Sequence, residues 1–215
     1  MSTRFTISIT VILLAAFLVM GIAIWDFVPE EMASHWNIND QVDGYMSKFW
    51  GVFLIPIMAL GMFVLFLVVP RIDPLKANIA QFREAFNLFI LLIMLFFGYM
   101  WALTIAWNLG YTDFRMSAAM LPALGLLFLF VGWMLRKAKR NFFIGIRTPW
   151  TLSSDTVWNK THQLGSILFY LSGALALIGS MFGNNAVWFV MAPILGSTLF
   201  LVVYSYVLYR QETKI

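Results

Sequence analysis

FWGVFLIPIMALGMFVLFLVV, residues 49–69, is a run of 21 residues without Asp, Glu, Lys, Arg or His. A helix needs about 20 apolar residues to cross the hydrocarbon core of a bilayer, which is roughly 30 Å thick. This stretch is therefore predicted to be a transmembrane helix. A chain that holds one such helix is a membrane protein, so its other long apolar runs are predicted to cross the bilayer too.

Five further runs meet the same criterion of length and composition. Together the runs predict six transmembrane helices, at residues 5–25, 49–69, 85–107, 117–135, 165–182 and 186–209. The first run is longer than the apolar core of a secretory signal peptide, and no small-residue cleavage site follows it, so we expect it to be retained. The predicted fold is all-α: a single membrane domain over residues 1–215, built as a bundle of six transmembrane helices.

The composition also indicates lipid surroundings. Hydrophobic residues make up 61% of the 215 residues and charged residues only 11%. A water-soluble domain has about a quarter of its residues charged. The chain has no cysteine, which excludes disulfide bonds and thiolate metal sites.

The positions of Lys and Arg predict the orientation in the membrane. If the N-terminus is cytoplasmic, 12 of the 14 Lys and Arg residues fall in inner segments, and only Lys48 and Arg115 lie outside. Cytoplasmic loops of membrane proteins carry such an excess of positive charge. We therefore predict that both termini (N-in/C-in) and a basic loop at 136–164, as well as the loop at 70–84, are cytoplasmic, and that an acidic loop at 26–48 is outside.

None of the six predicted helices has an Asp, Glu, Lys, Arg or His well inside it. Ion-coupled transporters and proton pumps place such residues in the membrane interior, so the sequence disfavours that class. A passive permease or channel for a small solute stays open as an alternative.

The outer loop has five acidic residues and one Lys. The acids are Asp26, Glu30, Glu31, Asp40 and Asp43. An anionic surface attracts cationic peptides, which makes the loop a candidate contact surface for a peptide or protein. A helical turn would place Glu31 and His35 on one face, with Asp40 and Asp43 as further oxygen ligands, so a metal site is an alternative. A solvated, structured loop is the third interpretation.

The inner loop at 70–84 spaces Leu75, Ile79 and Phe82 at i, i+4 and i+7. This spacing predicts a short amphipathic helix that lies in the headgroup layer of the membrane.

The inner loop at 136–164 has several local signals. Pro149 biases Thr148 toward an extended backbone, so residues 145–150 are predicted not to be helical. Ser153 is a candidate N-cap for a following helix, with Asp155 in the first turn.

Trp158, Thr161 and His162 share one face of that following helix. His162 has no second His or Cys near it and no nucleophile at a suitable spacing, so no catalytic, metal-binding or cofactor-binding residue is assigned. The loop either folds back on the bundle through Trp150 and Trp158 or forms a docking surface for a cytoplasmic partner. A membrane-embedded metal-dependent enzyme that uses His35 or His162 is a further, less favoured alternative.

The inner loop at 136–164 contains the continuous stretch NFFIGIRTPWTLSSDTVWNKTH, residues 141–162. With the outer loop at 26–48, this stretch resembles the SdpI family of bacterial toxin-immunity and signalling membrane proteins. The outer loop is similar to the family's N-terminal signature through Pro29-Glu30, His35-Trp36-Asn37 and residues 43–48. Asp40 stands where the family usually has a turn glycine, and Ala33 where it often has a proline. Since Asp tolerates the left-handed conformation better than most residues, we expect the turn to persist.

The resemblance implies a non-enzymatic protein of the bacterial cytoplasmic membrane that gives resistance to a secreted membrane-active peptide toxin. It also implies capture of a cytoplasmic ArsR-type autorepressor. The outer residues implied in ligand contact are Glu30, Glu31, His35, Trp36, Asn37, Asp43, Tyr45 and Lys48. The inner residues implied in partner binding or signalling are Asn141, Gly145, Arg147, Thr148, Trp150, Thr151, Trp158, Thr161 and His162.

Overall fold

A computed structural model describes residues 1–213, apart from the side chain of Asn184. Lys214, one of the cations used to predict the orientation, lies outside the described residues. Six helices within this range are long and apolar enough to cross a membrane. They are α1 (Thr3–Ala23), α2 (Lys48–Ile72), α4 (Arg83–Asn108), α5 (Met116–Leu135), α7 (Asp155–Gly179) and α8 (Trp188–Glu212). Shorter elements lie between them: β1 (Glu31–Trp36), β2 (Val42–Ser47), α3 (Lys76–Gln81) and α6 (Pro149–Ser153).

Large apolar side chains cover the outside of the bundle. Ile12, Val203 and Leu199 are 62%, 60% and 70% exposed. Exposed apolar surface on this scale is expected where lipid, and not water, surrounds a protein. The predicted all-α bundle of six membrane helices is confirmed.

The helices pack as two groups of three. α1, α2 and α4 form one group, and α5, α7 and α8 form the other, with α4 and α5 in contact between them. α5 and α7 approach closely because glycines face each other: a Cβ on Gly125 would lie 2.9 Å from the carbonyl oxygen of Gly173. Small residues of this kind allow membrane helices to pack backbone against backbone.

The two ends of the bundle are different. The Met1 ammonium lies 3.0 Å from Glu84 Oε1, and Ser154 Oγ donates to Glu212 at the end of α8. We call the end that holds both termini the terminal end. The β1–β2 hairpin lies at the other end, which we call the hairpin end. Which end faces the cytoplasm stays a prediction.

The boundaries of the predicted helices are close to the observed ones except in α7. α7 begins at Asp155, ten residues before the predicted start at 165. The polar residues of its first turns lower the hydropathy, but Trp158, Thr161 and His162 are buried inside the protein and do not face lipid. The N-cap is Ser154, whose Oγ accepts from the Val157 N–H at 3.2 Å, and not Ser153 as predicted.

The prediction that residues 145–150 are not helical is wrong for the last two of them. Thr148 is extended, with φ −99° and ψ 162°, but Pro149 and Trp150 begin the short helix α6. Proline is well suited to the first position of a helix, because no intrahelical bond needs its missing N–H.

The outer loop contains strands that the sequence did not predict. Glu31 and His35 lie on β1, which pairs antiparallel with β2, so the helical turn that the metal-site alternative requires is not formed. The Asn37 carboxamide oxygen accepts from the N–H groups of Asn39 and Gln41, and this local bonding favours the turn over a helix. Asp40 has a φ of +60°, as its replacement of a turn glycine requires.

The predicted helix in loop 70–84 is present as α3, but its apolar face does not lie in the headgroup layer. Ile79 and Phe82 are buried in the main hydrophobic core, against residues of α2 and α4. The helix therefore covers the terminal end of the bundle.

Candidate functional site

The hairpin is fixed to the bundle by polar contacts at its base. The Ala33 N–H donates to Asn108 Oδ1 at 2.8 Å, and Asn108 Nδ2 donates back to the Ala33 carbonyl at 3.0 Å. Lys48 Nζ lies 3.1 Å from Glu30 Oε1. The side chain of Met32, a residue of β1, is fully buried. The hairpin thus packs as part of the protein.

The tip of the hairpin is fixed by Asp40. Its Oδ2 accepts from Arg115 Nε at 2.8 Å and from the Ser117 hydroxyl at 2.7 Å. Its Oδ1 accepts from the Ser117 N–H at 2.7 Å. Burial alone would raise the pKa of the Asp40 carboxyl, but the hydrogen bonds from Ser117 and the positive charge of Arg115 hold this pKa below its ordinary value. Asp40 is therefore an anionic anchor at the start of α5.

A cavity of about 530 Å³ lies between the hairpin tip, the start of α5 and the segment before α8. The hairpin contributes His35, Trp36, Asn37, Ile38 and Asp40; the rest of the lining is Met116, Ser117, Met120, Leu121, Gly183 and Val187. The hairpin supplies the polar side chains His35, Asn37 and Asp40 together with Trp36 and Ile38, and the rest of the lining is mostly apolar. The Trp36 indole N–H is buried and has no hydrogen-bond acceptor within residues 1–213.

The structure brings together three of the eight predicted outer contact residues, His35, Trp36 and Asn37, in this cavity. The other five are outside its lining: Glu30, Glu31, Asp43, Tyr45 and Lys48. His35 Nδ1 bonds the Asp43 carboxylate. No group of three or more His, Asp or Glu side chains in the described part of the chain is arranged to hold a metal ion.

Asp40, Arg115 and Ser117 were not singled out as a unit from the sequence. Asp40 lies 75 positions from Arg115 and 77 from Ser117. A single sequence carries no signal that joins residues so far apart.

At the terminal end, residues 139–148 fold into a turn around Asn141. The Asn141 side chain is fully buried. Its Oδ1 accepts from the N–H groups of Phe143 and Ile144, at 2.9 and 2.7 Å, while its Nδ2 donates to the carbonyls of Lys139 and Ile144. Asn141 therefore replaces the backbone partners that this turn lacks.

His162 holds the second part of the loop. The Ile146 N–H donates to His162 Nε2 at 3.0 Å, and His162 Nδ1 lies 2.8 Å from the Trp158 carbonyl. Because a backbone N–H can only donate, Nε2 is the acceptor and the proton is on Nδ1. The His162 ring stacks on Trp158, with centroids 3.9 Å apart. Gly145, with φ +111°, passes so close that a Cβ there would collide with His162 Nε2.

Thr148 and Thr151 form a capping box at the start of α6. Thr148 Oγ1 also lies 3.0 Å from Ser205 Oγ of α8, and the Trp150 ring lies 5.0 Å from the Tyr206 ring. The loop is thus attached directly to the last helix.

Asp73 is a second anchor that the sequence did not reveal. It is 2% exposed, and its carboxylate accepts from the Leu75 N–H at 2.6 Å and the Phe142 N–H at 2.9 Å. Asn78 Nδ2 donates to the Arg140 carbonyl at 2.8 Å. These contacts join the two loops of the terminal end.

Most of the predicted inner residues are therefore inside the protein. The buried ones are Asn141, Thr148, Thr151, Trp158, Thr161 and His162. Gly145 and Trp150 are partly buried, while Arg147 is exposed and its Nη1 donates to the Phe142 carbonyl at 2.9 Å. The buried six shape the loop, and Arg147 is the member of the set that is open to a partner.

The fold and these two sites define a multi-pass membrane protein with a folded, hydrogen-bonded structure at each end. The sequence model of the SdpI/YfhL protein family matches residues 137–205, which include the terminal-end loop. A model described as a domain of unknown function, DUF1648, matches residues 11–60, which include the hairpin. The chain is 26% identical over 185 residues to "Immunity protein SdpI" of Bacillus subtilis (strain 168), covering 85% of each chain.

These matches show that the chain is similar to proteins of the SdpI family, as its loop motifs indicated. It is a multi-pass protein of a bacterial cell membrane. No solved structure matches it.

Proposed function

We propose that the chain is a membrane immunity protein, which protects the cell against a secreted membrane-active peptide toxin that binds in the hairpin-end cavity. The name of the Bacillus relative supports the immunity role. The cavity supports a peptide ligand, and it is the observation on which the proposal rests.

The cavity has the size and chemistry that a peptide segment needs. Its volume of about 530 Å³ falls within the range of roughly 300–1,000 Å³ that is usual for ligand pockets. An apolar side chain of the membrane-active toxin would pack against Met116, Met120 and Leu121 of the lining.

The test uses two neighbouring positions on the hairpin. Ile38 lines the cavity and is 59% exposed, while Asn39 is exposed and outside the lining. Ile38→Lys places a charge at the cavity, and Asn39→Lys adds the same charge one residue away. Both variants would replace SdpI in Bacillus subtilis strain 168, and survival would be measured in mixed culture with toxin-producing cells.

We expect the wild-type chain and Asn39→Lys to protect the cells and Ile38→Lys to lose protection. Membrane fractions probed for a C-terminal tag would verify equal amounts of all three proteins. Equal survival of the two variants would show that the cavity is not the toxin site. Failure of the wild-type chain in this host and against a toxin from its own organism would refute the immunity role.

We further propose that the terminal end captures an ArsR-type repressor when the toxin is bound. Arg147 is exposed at this end, and the neighbouring Thr148 contacts Ser205 of α8. The segment just before α8 lines the hairpin-end cavity. A toxin can change the repressor's affinity only by binding one arrangement of the bundle better than the other. Arg147→Ala should therefore abolish membrane recruitment of a fluorescent ArsR-type repressor from the same genome and leave protection intact. Recruitment equal to the wild type would contradict a role for this surface.

A further inference from the structure

A second cavity, of about 570 Å³, lies at the terminal end between the start of α4 and the end of α5. Its charged and aromatic lining residues are Phe82, Arg83, Glu84, Trp133, Arg136, Lys137 and Lys139. We call this cavity the basic cleft. Neither the proposed immunity function nor the resemblance to the SdpI family uses it.

The basic cleft has a large excess of positive charge. It has four cations and one carboxylate, and the Glu84 carboxylate already lies 3.0 Å from the Met1 ammonium. None of the four cations forms an ion pair with any residue in 1–213. By contrast Arg140, in the same basic run of sequence, pairs with Asp155 at 2.8 Å. The cleft is therefore arranged for an anion that the chain itself does not supply.

The position of the basic cleft indicates where that anion comes from. Beyond it, α4 and α5 have no Asp, Glu, Lys, Arg or His over 85–108 and 116–135. Trp133, 37% exposed, marks this boundary, as tryptophans do at the level of the lipid headgroups. From Trp133, aromatic rings continue along the helices: Trp133 to Phe130 at 5.3 Å, then Phe130 to Phe89 of α4 at 6.3 Å. The charged cleft thus continues into a row of aromatic rings, in which Trp133 is exposed and Phe89 and Phe130 are partly buried.

We propose that the basic cleft binds the headgroup of an anionic phospholipid, with its phosphate groups among Arg83, Arg136, Lys137 and Lys139. Its acyl chains lie along the aromatic row of Phe89, Phe130 and Trp133. Four uncompensated cations favour a headgroup with two phosphates, such as that of cardiolipin, over one with a single phosphate. Basic pockets between transmembrane helices recognise lipids of this type.

The test measures binding of a fluorescent cardiolipin to the purified full-length protein in zwitterionic detergent. The cleft variant carries Arg136→Gln, Lys137→Gln and Lys139→Gln. The matched control carries Arg71→Gln, Lys76→Gln and Lys160→Gln, which remove the same charge from the same end of the bundle but not from the cleft lining. Inorganic pyrophosphate and phosphatidylcholine serve as competitors, because the first has the phosphates without the chains and the second has the chains without net charge.

We expect the cleft variant to bind cardiolipin on the order of 100-fold more weakly than the control, because each cation near a membrane surface contributes roughly a factor of five. Glu84→Gln should bind more tightly than the wild type, a gain that a damaged protein would not show. Equal affinity of the cleft variant and the control would overturn the proposal. Competition by pyrophosphate as strong as that by unlabelled cardiolipin would assign the cleft to soluble phosphate compounds and overturn the lipid assignment.

Discussion

Replacement of Gly145 by alanine tests whether the terminal-end loop is fixed by His162. Gly145 has a φ of +111°, and a Cβ there would collide with His162 Nε2 and lie 3.3 Å from the Trp158 ring. The left-handed backbone alone costs a residue with a side chain about 1–3 kcal/mol. The His162 ring cannot move away without losing the Ile146 N–H, and an unpaired buried donor costs about 1–3 kcal/mol more. We expect Gly145→Ala to lower the free energy of unfolding by about 2–6 kcal/mol.

Two other glycines separate these contributions. Gly110 has a φ of +95° with no atom within 4 Å of an added Cβ, so Gly110→Ala has the backbone cost without the collision. Gly61 lies within α2 and also has open space, so Gly61→Ala has neither. The expected order of stability is Gly61→Ala, then Gly110→Ala, then Gly145→Ala.

Unfolding would be followed by tryptophan fluorescence in micelles with an increasing mole fraction of dodecyl sulfate, with the nine native tryptophans as reporters. A Gly145→Ala loss no larger than that of Gly110→Ala would show that the His162 ring is free to move. The account of the terminal-end loop as a structure held by His162 would then be wrong.

Two further predictions concern the hairpin end and the orientation. Asp40→Asn should lower the free energy of unfolding by about 1–3 kcal/mol near neutral pH, because it removes charge-assisted hydrogen bonds. Because the folded-state pKa of Asp40 lies below its ordinary value of 3.8, this stabilisation is present above pH 3.8 and is lost as the pH falls through the lowered pKa. A variant deficit that is unchanged at about pH 3 in the dodecyl sulfate titration would contradict the ionised anchor. For the orientation, Asn39→Cys should react in intact cells with a maleimide that does not cross membranes, and Thr156→Cys only after lysis, against a cysteine-free background. The reverse pattern would invert the predicted topology.

The strength of sequence reasoning here lies in the transmembrane helices. An apolar run of about 20 residues has no alternative in a bilayer, since every backbone polar group must be satisfied within the segment. The fifth transmembrane helix, α7, shows the limit of this rule. Its first turns carry Trp158, Thr161 and His162, which face protein, so hydropathy placed its start ten residues too late.

The loops show the same limit at the candidate sites. The motif around residues 141–162 was visible, but its pattern gave no sign that His162 supports Ile146 or that Asn141 closes a turn. Their burial favours a structural role, because a buried side chain positions others, whereas Arg147 is the exposed residue of the predicted set. Likewise the outer signature included His35 and Trp36, but the cavity they line also needs residues from α5.

What the sequence determined by itself is the membrane class, the number of spans and the family resemblance, because each depends on local composition or on a continuous motif. Only the tertiary structure decided that Asp40 meets Ser117, that Asp73 meets Phe142 and that four cations surround one cleft. Those contacts join residues far apart in the chain. Helix packing brings these residues together. A buried polar group needs a hydrogen-bond partner, and here the residues adjacent in the sequence do not provide it.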